Sequence, residues 1–250
     1  MPSPNLHKTI FEVRYQPRLK FYNLFMSAAE QFTQYPHWET NRLAVVLRDY
    51  ETHCSLYLGH DKCVYEQDSA DEKMDERNIK DAIDKLRPAL DVGELLRFGY
   101  RRLYLVPLTM SFDSLVTVLN VKLFSQDEKL KKIMPAQVRD LMYRTDLEDE
   151  SFKYHLLLGP LKKAEVPKHL NYNKKNHLAP EKVEEDFRDI CLGYPEVSLL
   201  IDIDIYKEAF GKDKKISLEE ASGFVKSSRE RAGVLASNLC EYLFEKKIGK

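Results

Sequence analysis

Val197-Ser198-Leu199-Leu200-Ile201-Asp202-Ile203-Asp204-Ile205-Tyr206 is the stretch on which the fold turns. Ile201, Ile203 and Ile205 alternate with Asp202 and Asp204. On a strand, residues two apart share a face, so the isoleucines are predicted to line a core and the aspartates the opposite side. A strand written this way belongs to an antiparallel sheet with one open face. Strands of fully covered parallel sheets read instead as unbroken apolar runs. The same stretch is the longest apolar candidate in the chain, and its two charges keep it from being a membrane span, which needs roughly 20 apolar residues.

Working upstream, residues 9–16 alternate apolar and polar side chains up to Pro17, the mark of another half-buried strand. Phe21, Leu24, Phe25, Ala28, Ala29 and Phe32 recur at helical spacing over 19–34, before Tyr35-Pro36. Short β segments are predicted at 42–50, 52–58 and 63–66, the last after a Gly59-His60-Asp61 turn. A charged surface helix follows within 68–91, its apolar stripe being Ile79, Ala82, Ile83, Leu86 and Leu90. The next segments are a strand over 96–107 and a helix over 111–124. Strands follow at 138–147 and 152–158. A long last helix runs over 216–244 and opens with Ser217 and Glu220, a capping box in which each side chain satisfies the other's free backbone N–H.

This order predicts an α+β fold of two β-α-β-β-β-α halves, with antiparallel sheets and helices on one face. Residues 1–92 form the first half and 93–250 the second, packed as one body. The second half carries an inserted segment over 160–182. Lys162, Lys163, Lys168, Lys174, Lys175 and Lys182 make it basic against only Glu165 and Glu181. It is expected to be exposed and more mobile than its flanking strands, because a cluster of lysines resists burial.

Composition narrows the function. The chain has 250 residues, 43% hydrophobic and 32% charged, with a formal net charge of -1 from 39 basic and 40 acidic residues. That is enough apolar material for a core. The charge balance is unlike that of dedicated nucleic-acid or membrane-surface proteins. Cys54, Cys63, Cys191 and Cys240 form no CxxC pair, and the first residues carry no charged-then-apolar leader pattern. The expectation is a cytoplasmic protein with reduced thiols.

Phe11-Glu12-Val13-Arg14-Tyr15-x-Pro17, Tyr35-Pro36, Arg97-Phe98-Gly99-Tyr100-Arg101, Leu200-Ile201-Asp202-Ile203-Asp204 and Leu243-Phe244-Glu245 occur in that order. In this arrangement the chain resembles a sporadically distributed, uncharacterised prokaryotic protein family of about this length. The likeness spans nearly the whole chain and implies one whole-chain fold unit without implying an activity. The sequence departs from the family pattern at Cys63-Val64-Tyr65-Glu66, where the family carries an aromatic-rich segment.

Four constellations bear on chemistry. Asp202 and Asp204 are candidate metal ligands, since two carboxylates on one strand face can share a divalent cation. The bland reading is that both sit on a solvent-facing strand surface. His53, Cys54, His60 and Cys63 surround a predicted hairpin, but their spacing is not that of a zinc knuckle. No GxSxG, GxGxxG or P-loop is present, so no nucleophile or phosphate cradle is marked. Arg97, Arg101 and Arg102, interleaved with Tyr100 and Tyr104, could neutralise phosphate and stack bases. The competing reading pairs these arginines with acids of the surface helices. In the insertion, Tyr172, Lys174 and Lys175 are candidate partner contacts.

The expectation drawn from this is a non-enzymatic interaction protein without a cofactor. It would act on a protein partner in an accessory prokaryotic system of the defence or toxin-control type, and its long last helix would be compatible with self-association. The alternatives are a nucleic-acid-binding module built on the basic insertion with Arg97, Arg101 and Arg102, and a metal-dependent enzyme around Asp202 and Asp204.

Overall fold

The alternation read in the isoleucine–aspartate strand organises the protein. In a computed structural model, which describes residues 2–22, 27, 30–68, 72–123, 138–170, 193–209 and 215–245, that strand is Val197–Glu208 and lies deep inside a nine-stranded antiparallel sheet. In chain order the strands are β1 (Asn5–Arg14), β2 (His37–Thr40), β3 (Ala44–Asp49), β4 (Cys54–Gly59) and β5 (Lys62–Gln67). After them come β6 (Glu94–Leu95), β7 (Arg97–Leu108), β8 (Tyr143–Glu148), β9 (Lys153–Lys162), β10 (Val197–Glu208) and β11 (Ile216–Ser217). The large sheet runs β2-β3-β4-β5-β1-β7-β10-β9-β8, and β6 pairs separately with β11. The two halves of the chain therefore meet as one continuous sheet through the β1–β7 pair.

Ile201, Ile203 and Ile205 point to one face together with Phe98, Tyr100 and Tyr104 of β7, Phe11 and Val13 of β1, and Leu56 of β4. This is the main core. It is closed by α1 (Glu72–Leu90), α2 (Phe112–Leu123) and α4 (Leu218–Phe244). Ala82, Ile83 and Leu86 of α1 and Ala221, Phe224, Val225 and Ala232 of α4 supply the covering side chains. The cap of α4 forms as the sequence predicts: Glu220 N–H donates to Ser217 Oγ over 3.1 Å, and Ser217 N–H donates to Glu220 Oε2 over 2.9 Å. Among the described residues no helix is long and apolar enough to cross a membrane. A mixed α+β architecture with a large antiparallel sheet is thus what the sequence folds into.

Several boundaries differ from the sequence expectation. Strand β2 was not foreseen; its four exposed residues carry no buried-strand alternation. Within the helix expected over 19–34, residues 20–22, 27 and 30 are helical. The strand expected over 138–147 is confined to Tyr143–Glu148, and the next strand extends past 158 to Lys162. That extension corrects the reading of the insertion. Pro160 and Leu161 belong to β9, and a 3-10 turn at Lys163–Glu165 leads into α3 (Val166–His169). Leu161, Val166 and Leu170 are buried against Leu103, Leu105 and Leu200 on the sheet face away from the main core. Residues 160–170 are therefore not an exposed excursion. Three apolar anchors spaced among the lysines seal a second, smaller core.

Candidate functional site

On the face opposite the main core, beside the small apolar cluster of Leu103, Leu105 and Leu200, β1, β7 and β10 present a charged patch. Arg101 Nε and Nη2 donate to Asp202 Oδ1 and Oδ2 over 2.8 and 2.6 Å, a two-pronged pair between neighbouring strands. The residue directly opposite Arg101 is Asp204, so Arg101 reaches its partner diagonally. Arg97 Nη1 donates to Glu12 Oε1 over 2.7 Å and Nη2 to Asp204 Oδ2 over 3.1 Å, with Glu208 3.6 Å away. Its guanidinium lies 4.7 Å from the centre of the Tyr206 ring. Gly99 leaves room beneath the crossing from Arg97 to Asp204. A Cβ there would stand 3.3 Å from Asp204 Oδ1 and 3.5 Å from Arg97 Cζ. Farther along β1, buried Lys8 lies 3.1 Å from Asp68 and 3.4 Å from Glu66.

Burial pushes the Asp204 carboxyl above its ordinary range, opposed by the charges of Arg97 and Arg101. The hydrogen bonds from Arg101 to Asp202 push the Arg101 guanidinium up, so it stays charged. The Asp202 side chain is only 4% exposed. This corrects the expectation that Asp202 sits on a solvent-facing surface: Arg101 covers it, and Leu103 and Leu157 occupy the neighbouring strand positions. Both carboxylate oxygens are engaged by Arg101, so the pair is built as an internal clasp. Among the described residues, no three His, Cys, Asp or Glu side chains cluster as a metal ion would need.

The arginines separate. Arg97 and Arg101 lie on the charged face, and their partners are acids of the sheet itself instead of acids of the surface helices. Arg102 points the other way into the main core, 1% exposed, where its Nε donates to Tyr100 Oη over 2.9 Å and Nη1 to Tyr104 Oη over 3.4 Å. It therefore does not share a surface with Arg97 and Arg101, because consecutive strand residues face opposite sides. Tyr172, Lys174 and Lys175 lie outside the described residues. Cys54 and Cys63 are buried on the core side of β4 and β5 and are opposite different residues, Gln67 and Leu58. Burial, then the nearby Glu12, pushes the Cys63 thiol far up.

A second place stands out at the β8 margin. Between the β8–β9 hairpin and α4 lies an apolar groove of about 520 Å³ whose lining includes Leu147, Tyr154, Val234 and Leu235. Leu147 is 49% exposed and Val234 59%. One wall is fixed by Arg231, which donates to Asp149 Oδ2 over 3.0 Å and to Tyr154 Oη over 2.7 Å and lies over the Phe152 ring. Asp149 also accepts from Tyr154 Oη at 2.6 Å and from the N–H groups of Ser151 and Phe152. These bonds, that from Tyr154 foremost, hold its carboxyl at about 2. β8 is the outermost strand on this side among the described residues. Sequence reading passed over the groove. Its one signal was Val234, an apolar residue beside the core stripe of the last helix, meeting a strand that ends in Leu147.

No family model and no curated protein matches the chain. Among solved structures it is similar to a TBP of Methanococcus jannaschii, at 12% identity over 92% of this chain and 98% of that one, with a TM-score of 0.32.

Proposed function

We propose that this chain is a non-enzymatic interaction protein whose partner surface is the margin formed by β8 and α4. The observation that carries the reading is the exposed apolar groove at an outermost strand. Its half-exposed Leu147 and Val234 gain by leaving water, about 1 kcal/mol each, and its Arg231–Asp149–Tyr154 wall is already ordered. The strand order supports a duplicated origin: outward from the β1–β7 seam it reads β1-β5-β4-β3 on one side and β7-β10-β9-β8 on the other. In that reading the first half carries one strand more, β2, where the second half ends in an accessible strand. The family resemblance in the sequence is compatible with a role in an accessory prokaryotic system.

Nucleic-acid binding through Arg97 and Arg101 draws less support, since both are already paired with carboxylates. Catalysis at Asp202 and Asp204 is disfavoured for the same reason. The test places a photo-reactive phenylalanine at Val234 in the native host, with the exposed Lys80 on α1 as control site. A protein adduct specific to position 234 and lost with Leu147→Asp is expected. Equal adducts from both sites, or none from position 234, would overturn the reading.

A further inference from the structure

We infer that the partner at this margin is a second copy of the same chain, joined edge to edge along β8; the inference rests on the reading of that margin as an interaction surface. The case lies in the sequence of the strand and the faces its residues occupy. Pairing with β9 puts Tyr143, Thr145 and Leu147 on the helix-covered side, opposite Leu158, Leu156 and Tyr154. Arg144 and Asp146 lie on the charged side. Both are exposed.

Two copies of β8 run antiparallel when a two-fold axis passes through the middle of the strand, and residues of one face then meet residues of the same face. With the axis at Thr145, Arg144 of each copy faces Asp146 of the other. Tyr143 faces Leu147, and the two threonines face each other. Every direct pair among residues 143–147 is thus of a favourable kind: opposite charge, aromatic with aliphatic, hydroxyl with hydroxyl. The neighbouring registers fail. An axis at Asp146 sets that carboxylate against itself, and an axis at Arg144 does the same with two guanidinium groups. In the Thr145 register the half-exposed Leu147 of each copy is covered by Tyr143 of the other, and the two grooves lie side by side. His155 already binds Asp146 on its inner side. The exposure of Asp146 leaves its outer side free for the second copy.

Five paired strand residues from each copy and two grooves make a small interface, so the dissociation constant should be on the order of 10 μM. The experiment is sedimentation equilibrium on the full chain at concentrations spanning that value, with Arg144→Asp, Asp146→Arg and the double exchange. Circular dichroism and unfolding midpoints serve to verify the fold. Each single change turns two attractive pairs into repulsive ones and should weaken the dimer by about tenfold or more. The double change restores opposite charges and should bring the constant back to within about threefold. A chain that stays monomeric overturns the inference, as does a dimer that the single changes leave intact or the double change fails to rescue. A monomer that still gives a Val234 adduct with a different protein sinks the second copy alone. A monomer without an adduct sinks the margin reading as well.

Discussion

Replacing Arg101 by Met should destabilise the protein through Asp202 more than through any contact of its own. The Asp202 side chain is 4% exposed, and both its oxygens accept from Arg101, at 2.8 and 2.6 Å. Its cross-strand neighbours are Leu103 and Leu157, which offer no donor side chain. Removing one partner of a buried pair costs about 3–5 kcal/mol. Arg101 itself is 41% exposed, so water reaches this pair and the figure falls to about 2–3 kcal/mol. In a chain of this size that is a drop of roughly 5–10 °C in Tm. Asp202→Leu should cost less, about 1 kcal/mol, because the freed guanidinium can hydrate. The double variant should return to within about 1 kcal/mol of the parent, since Met and Leu pack where the clasp stood. Urea unfolding of the four proteins, followed by fluorescence and circular dichroism together, gives the coupling energy directly. An Arg101→Met cost below about 0.5 kcal/mol, or a double variant equal to the sum of its parts, would refute the clasp.

Ile203→Asp, one position along and on the opposite face, places a carboxylate in the main core without a partner. It should cost several kcal/mol, on the order of 3–5, and the check is loss of soluble folded protein. Asp149 should titrate at about 2 by carboxyl NMR. Its folded value lies below the ordinary one, so its contribution to stability is complete above pH 4 or so and is lost as pH falls through about 2. Tyr154→Phe should move that titration upward; an unmoved Asp149 would count against the turn as described. Cys63 should resist a thiol reagent in the native state and react on unfolding, because burial disfavours the thiolate. Fast native labelling at that position would contradict its place in the core.

Where side-chain alternation is strong, the fold can be read from the sequence. Ile201, Ile203 and Ile205 point to the core as their spacing predicts, and Ser217 with Glu220 forms the cap of the last helix, which begins at Leu218 and not at 216 because Ile216–Ser217 pair as β11. Alternation stops being informative where both faces of a strand are occupied. Asp202 looks like a surface residue because its polarity is visible in the sequence. Its cover is not, since Arg101 lies 101 positions away and arrives only through β7–β10 pairing. Arg101 and Arg102 look alike as neighbours and are separated by strand geometry alone. β2 lacks a buried face and so leaves no periodic mark. The groove is hidden for a related reason: its lining joins a hairpin to a helix some 80 residues farther on, and neither piece is conspicuous alone.

The seam between β1 and β7 and the insertion of β10 between β7 and β9 also govern the order in which the chain can assemble. Arg102 of β7 faces Ile203 of β10, so the contact must wait for about 100 further residues to leave the ribosome. Contacts this distant slow folding, because the loop must close before the pairing stabilises anything. β1 to β5 can meanwhile pair among themselves, which makes the first half the natural early nucleus. Until Val197–Glu208 arrives, β7 and β9 each hold an unpaired backbone edge beside apolar side chains, the kind of surface that recruits other nascent chains. A polypeptide interrupted before Val197 should therefore be insoluble, while a complete one closes both edges with a single strand.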